Sequence, residues 1–194
     1  LLHRQPALYV ATGAGLRQAG LTALKPCRVS PGGFAHLRTV ARTAVALERA
    51  LSGVEVVGER ELRAWERGSP RPLASAELGL AADGGYARHR PDLVLWPTGR
   101  AGEPGAPAVA IEVELTVKAV ARLGAIVRGW ARSRLVGGVV YYASPDAARA
   151  LRRAVTEEQA ADMVHVLGLD RAGELPDCLA WPAVGSTSPV PSAA

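Results

Sequence analysis

Apolar residues recur along this chain with two periods, and the switches between them lay out its elements. Over 34–51, Leu37, Val40, Ala41, Ala44, Leu47 and Leu51 return every three or four residues, which predicts an amphipathic helix with Arg38, Arg42 and Arg49 opposite. Ser52-Gly53 stops it. The period then falls to two. Residues 54–57 read as a strand, and the alternating charges of 59–63 either extend it or turn into a short helix. Residues 92–96 form a second strand entered through Pro91, and after a Gly- and Pro-rich connector 108–118 form a third, so Asp92 and Glu112 fall on neighbouring strands. The helical period returns over 118–134, where Leu123, Ile126, Val127 and Trp130 make the stripe. An apolar strand over 136–143, a helix opened by Ser144-Pro145 and running to Val155, and a closing strand over 163–167 complete the pattern. These elements predict an α/β domain with a central mixed β-sheet flanked by helices.

Other stretches carry weaker signals. Residues 7–11 suggest a short strand, 12–15 a turn and 16–24 a short helix or irregular segment. The glycines at 13, 15 and 20 lack the spacing of a dinucleotide fingerprint. Residues 65–85 read as a long connection of mixed structure, a kind of segment that often borders a site. From Trp181 the Pro, Ser and Gly content predicts a frayed tail. The expected organisation is thus 1–30 as the trailing part of an upstream region, 31–180 as the α/β domain and 181–194 as the tail.

Chemistry enters with the third strand. In AVAIEVELTVK, Val109, Ile111, Val113 and Leu115 share one face while Glu112, Glu114 and Thr116 share the other. Two carboxylates on one side of a half-apolar strand either sit in solvent on an edge strand or gather a divalent cation. Glu48 breaks the first helix's pattern, landing by angle between Leu37, Ala41 and Ala44. There it needs a cation, a hydrogen-bond network or one buried Arg. His89 reads as an exposed loop histidine, and the scattered His3, His36, His89 and His165 argue for neither a triad nor a zinc cluster.

Composition narrows the classes. The formal charge is +5, which favours an acidic partner, with nucleic acid ahead of membrane because no long apolar run or basic amphipathic helix is present. Only Lys25 and Lys118 are lysines among 23 basic residues, which draws attention to Lys118. Arg128 and Arg132, four apart on the second helix, either contact a DNA backbone or form a solvated face. Cys27 and Cys178 make no ligand spacing, and a reducing cytoplasm fits them. The chain opens at Leu1 without Met and is expected to be a piece of something longer.

Pro91-Asp92 opening one strand, followed after a connector by Glu112-Val113-Glu114 on the next, resembles the PD-(D/E)XK nuclease superfamily. The order helix, strand, strand, strand, helix, strand is similar to that family's restriction-endonuclease-like α-β-β-β-α-β core. More narrowly, Glu112-Val113-Glu114-Leu115-Thr116-x-Lys118, the later Arg122 and the early Ala11-Thr12-Gly13-x-Gly15-Leu16 resemble the plasmid replication-relaxation group, in which a winged helix precedes a nuclease-like domain. The resemblance implies a metal-dependent DNA endonuclease or nickase. It implies Asp92, Glu112 and Glu48 as ligands of Mg²⁺ or Mn²⁺ and Glu114 and Lys118 as further catalytic groups; Arg122, with the Arg128 and Arg132 of the second helix, is expected to contact DNA. DNA is the implied partner, with a homodimer and an upstream winged helix also admitted. Where the family pattern expects Lys, this chain has Glu114, so Lys118 must reach back four residues. If it does not, the alternative is a catalytically inactive DNA-binding or protein-binding domain on the same scaffold.

Overall fold

The computed structural model describes residues 9–67, 69, 71–80 and 85–169. A mixed five-stranded sheet runs through it, built from β1 (Val54–Gly58), β4 (Leu93–Pro97), β5 (Val109–Glu114), β6 (Gly138–Ala143) and β7 (Val164–Gly168), in that spatial order. β1, β4 and β5 pair antiparallel, whereas β5, β6 and β7 pair parallel. The parallel half follows from the connections, because α4 (Val120–Arg132) and α5 (Pro145–Glu157) are the crossovers that parallel neighbours require.

The alternation read from 108–118 sorts the two sides of the sheet. Val109, Ile111 and Val113 join Leu93, Leu95, Val140 and Tyr142 under α2 (Phe34–Ala50), which presents Val40, Ala44 and Leu47, with Leu51 just beyond its end. Ala108 and Ala110 face the opposite layer with Val94, Trp96 and Val139, covered by Leu123, Ile126, Val127 and Trp130 of α4 and Leu151 and Ala154 of α5. Burying Trp96 and Trp130 completely contributes a large apolar share to this second layer. Ser144 caps α5 by accepting from the Ala147 N–H at 3.5 Å, with Pro145 in the first turn.

The weaker stretches hold more regular structure than their patterns indicate. Residues 12–15 begin a helix: α1 (Gly13–Gln18) starts where the Thr12 hydroxyl accepts from the Gly15 N–H, and no strand forms over 9–11. Residues 7 and 8 of that expected strand, the 181–194 tail and Cys178 lie outside the described residues. Of the two readings open for the segment after β1, the helix is the one that forms, as α3 (Glu59–Arg67). The expected long connection contains β2 (Ala76–Leu80) and leads into β3 (Tyr86–His89), an antiparallel pair separate from the main sheet.

This pair seats itself on α4 through Gly129. A Cβ there would lie 2.8 Å from Leu78 Cδ2 and 3.0 Å from the Glu77 carbonyl oxygen, and the backbone of β2 cannot yield as a side chain would. Overpacking of about 1–3 kcal/mol outweighs the helix-propensity gain of just under about 1 kcal/mol. Gly129→Ala is therefore expected to lower stability by about 1–2 kcal/mol, measured as a fall in the urea midpoint at unchanged slope.

Candidate functional site

The sheet opens where its polar residues begin. β4 and β5 pair only from Leu93↔Ile111 to Leu95↔Val109, while β5 stays paired with β6 as far as Glu114↔Ala143. Glu112, Val113 and Glu114 therefore have no strand partner on the β4 side. Asp92 fills that gap. Its Oδ2 accepts the Val113 N–H at 2.8 Å, replacing a ladder bond with a side-chain bond and fixing a carboxylate in the mouth between the strands. Its own carbonyl accepts from the Glu59 N–H at 2.9 Å, which brings the start of α3 to the same place.

Glu112 projects from β5 on the α4 side and is only 6% exposed. Burial pushes its carboxyl up from the ordinary value, opposed first by His89, whose Nε2 lies 2.6 Å from Oε1. Asp92 adds to the rise and Lys118 opposes it. Glu114, on the same face, is also 6% exposed and is ion-paired with Lys118. The solvent-exposed edge-strand reading of these two glutamates is thereby excluded. Tyr141, in register beside Glu112 on β6, has its phenol held well above the usual range by burial and then by the Glu112 charge.

Lys118 stands in the loop between β5 and α4 and folds back toward the strands. It is half-buried, so its ammonium is drawn below the ordinary lysine value, with Glu112 and Asp92 opposing the fall. Asp92, Glu112 and Lys118 thus line one open cleft of about 290 Å³, together with His36, His89 and arginines of α3 and the β3–β4 segment.

Glu48 is elsewhere. It is exposed and lines a separate hollow with Val54 and Trp65, about 18 Å further along the helix axis than His36. The true stripe is rotated from the expected one because Thr39 and Thr43 are buried beside Leu47, a placement their polarity conceals. Thr39 satisfies its hydroxyl on the Ala35 carbonyl at 3.0 Å. The residue that α2 brings to the cleft is His36, whose Nε2 lies 3.0 Å from Asp92 Oδ1.

His89 is likewise no exposed loop residue: it ends β3, meets Trp130 edge-on at a centroid distance of 5.9 Å and touches Glu112. The signal that could have found it is the alternation of Tyr86-Ala87-Arg88-His89, which places His89 opposite Tyr86 and Arg88. Glu66 also escapes a sequence reading. Its buried carboxylate accepts from the Leu73 N–H at 3.0 Å, from the Ser75 hydroxyl at 2.7 Å and from Arg90 Nε at 3.1 Å. This network ties α3 to the segment that delivers His89 and Asp92.

The three expected DNA contacts divide. Arg122 is exposed and close enough to depress Lys118. Arg128 is engaged, donating from Nε and Nη2 to Glu158 at 2.8 and 2.6 Å. Arg132 is exposed on a different cleft.

Among the described residues no group of three or more His, Cys, Asp and Glu is disposed to hold a metal ion. Asp92 and Glu112 bring two carboxylates to the cleft, the donor type that Mg²⁺ takes when it binds through one or two carboxylates and keeps several waters. Two histidines each occupy one oxygen of these carboxylates. The Asp92 hydrogen bond raises the His36 pKa above 6.5, more than burial lowers it. A raised folded value means that the contact stabilises fully below the unfolded pKa and that this stability is lost as pH rises through the folded value. Wild type in EDTA is therefore expected to exceed His36→Gln in melting temperature at about pH 5, the gap closing as pH rises past neutrality.

Neither a family model, nor a curated protein, nor a solved structure matches the chain.

Proposed function

We propose that this chain hydrolyses phosphodiester bonds in DNA, as an endonuclease or nickase, with Mg²⁺ or Mn²⁺ held by Asp92 and Glu112. One observation carries the reading: Asp92, Glu112 and Lys118 meet in one cleft at the point where β4 and β5 separate. The succession α2, β1, β4, β5, α4, β6 supports the restriction-endonuclease-like core that the resemblance implies, with α3 and the β2–β3 pair inserted between its first two strands.

Asp92 is oriented by the Val113 N–H, and Glu112 by His89. A bound metal would polarise the phosphodiester and lower the pKa of an attacking water. Lys118 provides a positive charge for the oxygens on which negative charge develops, and Glu114 holds its ammonium in place. The departure at Glu114 is thus compatible with activity, since the lysine arrives from the following loop. Arg88 lines the cleft and adds to its attraction for phosphate, whereas Arg63 and Arg90 are paired with Glu59 and Glu66.

The second reading is a silent nucleic-acid-binding domain. It is favoured by the two imidazole contacts, each of which occupies one carboxylate oxygen. A cytoplasmic setting in plasmid replication or relaxation belongs with the first reading; no helix among the described residues is long and apolar enough to cross a membrane. Cleavage of supercoiled, linear and single-stranded DNA with Mg²⁺ or Mn²⁺ separates the two. Cutting by wild type that Asp92→Ala and Glu112→Ala both abolish supports the nuclease. Folded protein that binds metal and DNA but leaves the strands intact, with any upstream region present, supports the binding domain.

A further inference from the structure

A second cleft, of about 510 Å³, lies between the β2–β3 pair and the C-terminal end of α4. Arg71, Arg132 and Arg134 line it, all exposed. None of their guanidinium groups has an ion-pair or hydrogen-bond partner among the described residues, in contrast to Arg128 on the same helix as Arg132. Three exposed cations around one cleft, without a partner among the described residues, attract an anion. Among the described residues that line it, Glu77 is the lone carboxylate.

Tyr86 forms part of the same wall and keeps 59% of its surface exposed at the start of β3. An aromatic ring left open beside exposed arginines is the combination that holds a nucleic acid strand: guanidinium groups follow the phosphates and the ring stacks on a base. Duplex DNA keeps its base faces stacked and offers none to such a ring. The location adds direction. Strand alternation puts Tyr86 and Arg88 on one side of β3, about 7 Å apart, and Arg88 lines the cleft that contains Asp92 and Glu112.

We infer that the cleft formed by Arg71, Arg132, Arg134 and Tyr86 binds a single strand of nucleic acid and leads it along β3 to the Asp92–Glu112 cleft. The destination rests on the phosphodiester reading, whereas the binding is measurable without metal. Fluorescence anisotropy of labelled oligo(dT) in EDTA tests it, with oligo(rU) in parallel to tell DNA from RNA. Tyr86→Ala is expected to weaken binding about tenfold. Joint Arg132→Ala and Arg134→Ala should lower the steepness of log affinity against log salt by about 1.4, roughly 0.7 for each phosphate that is no longer neutralised. All three side chains are exposed, so unchanged melting temperatures serve as the folding control.

Wild-type affinity and salt dependence in these variants would overturn the inference, whether or not the protein cuts DNA. So would duplex of the same sequence binding as tightly, with no loss on Tyr86→Ala. Binding through this cleft by a protein that never cuts would remove the catalytic reading alone.

Discussion

Asp92→Ala is expected to reduce metal-dependent cleavage by about 10²–10³-fold or more, to the background of the assay. The size follows from the two tasks that one carboxylate performs. Its Oδ2 accepts the Val113 N–H and so ties the entry of β4 to β5, while in the proposed phosphodiester chemistry its charge would be one of two carboxylates offered to a cation. Asp92→Asn separates these tasks. Its amide oxygen still accepts from Val113, so the cleft keeps its shape and stability falls by only about 1 kcal/mol, but the charge is gone. Cleavage in Asp92→Asn should therefore fall nearly as far as in Asp92→Ala, with the melting temperature closer to wild type. Near-wild-type cutting by either variant, measured at saturating Mn²⁺, would remove Asp92 from the chemistry.

Glu66→Ala, on α3, is expected to cost about 3–5 kcal/mol. The residue is 3% exposed, and its removal strands Arg90, the Leu73 N–H and the Ser75 hydroxyl together. Breaking one side of a buried pair is worse than lacking the pair, because the orphaned charge stays desolvated. Arg90→Ala in the Glu66→Ala background should accordingly recover part of the loss, as read from urea unfolding of the four members of a double-mutant cycle. Arg90 precedes Pro91-Asp92 directly, so Glu66→Ala should also reduce cleavage, through displacement of Asp92 rather than loss of a reacting group. Additive losses in the cycle would show the pair to be uncoupled.

Periodicity carries most of the main sheet and its helices into view before any coordinates, because α2, α4 and α5 each bury one continuous stripe and β6 is buried along its whole length. The same pattern puts Asp92 and Glu112 on adjacent strands. It fails where polarity and burial part company. Thr39 and Thr43 are buried but count as polar, so the α2 stripe is drawn too far toward Glu48 and away from His36. The β2–β3 pair escapes because its outward residues include Glu77, Gly79 and Leu80, leaving no clean alternation over so short a run. The depth of Glu112 and Glu114 is illegible for a different reason: it is set by what covers them, the β3 histidine and the Lys118 loop, and neither is encoded in the strand itself.

The separation of the two sheets bears on the order of assembly. β2 and β3 are close in sequence and can pair early, whereas the parallel β5–β6–β7 register waits for two helical crossovers to form. Glu112 therefore lies in one sheet and its imidazole partner in the other, and the close approach at Gly129 is where the β2–β3 pair meets α4. Until the pair meets α4, Glu112 lacks its imidazole contact and the α4 layer lacks Ala76 and Leu78. Docking of the β2–β3 pair thus joins a histidine to a carboxylate across the seam and closes the apolar layer over α4 with Ala76 and Leu78 at the same contact.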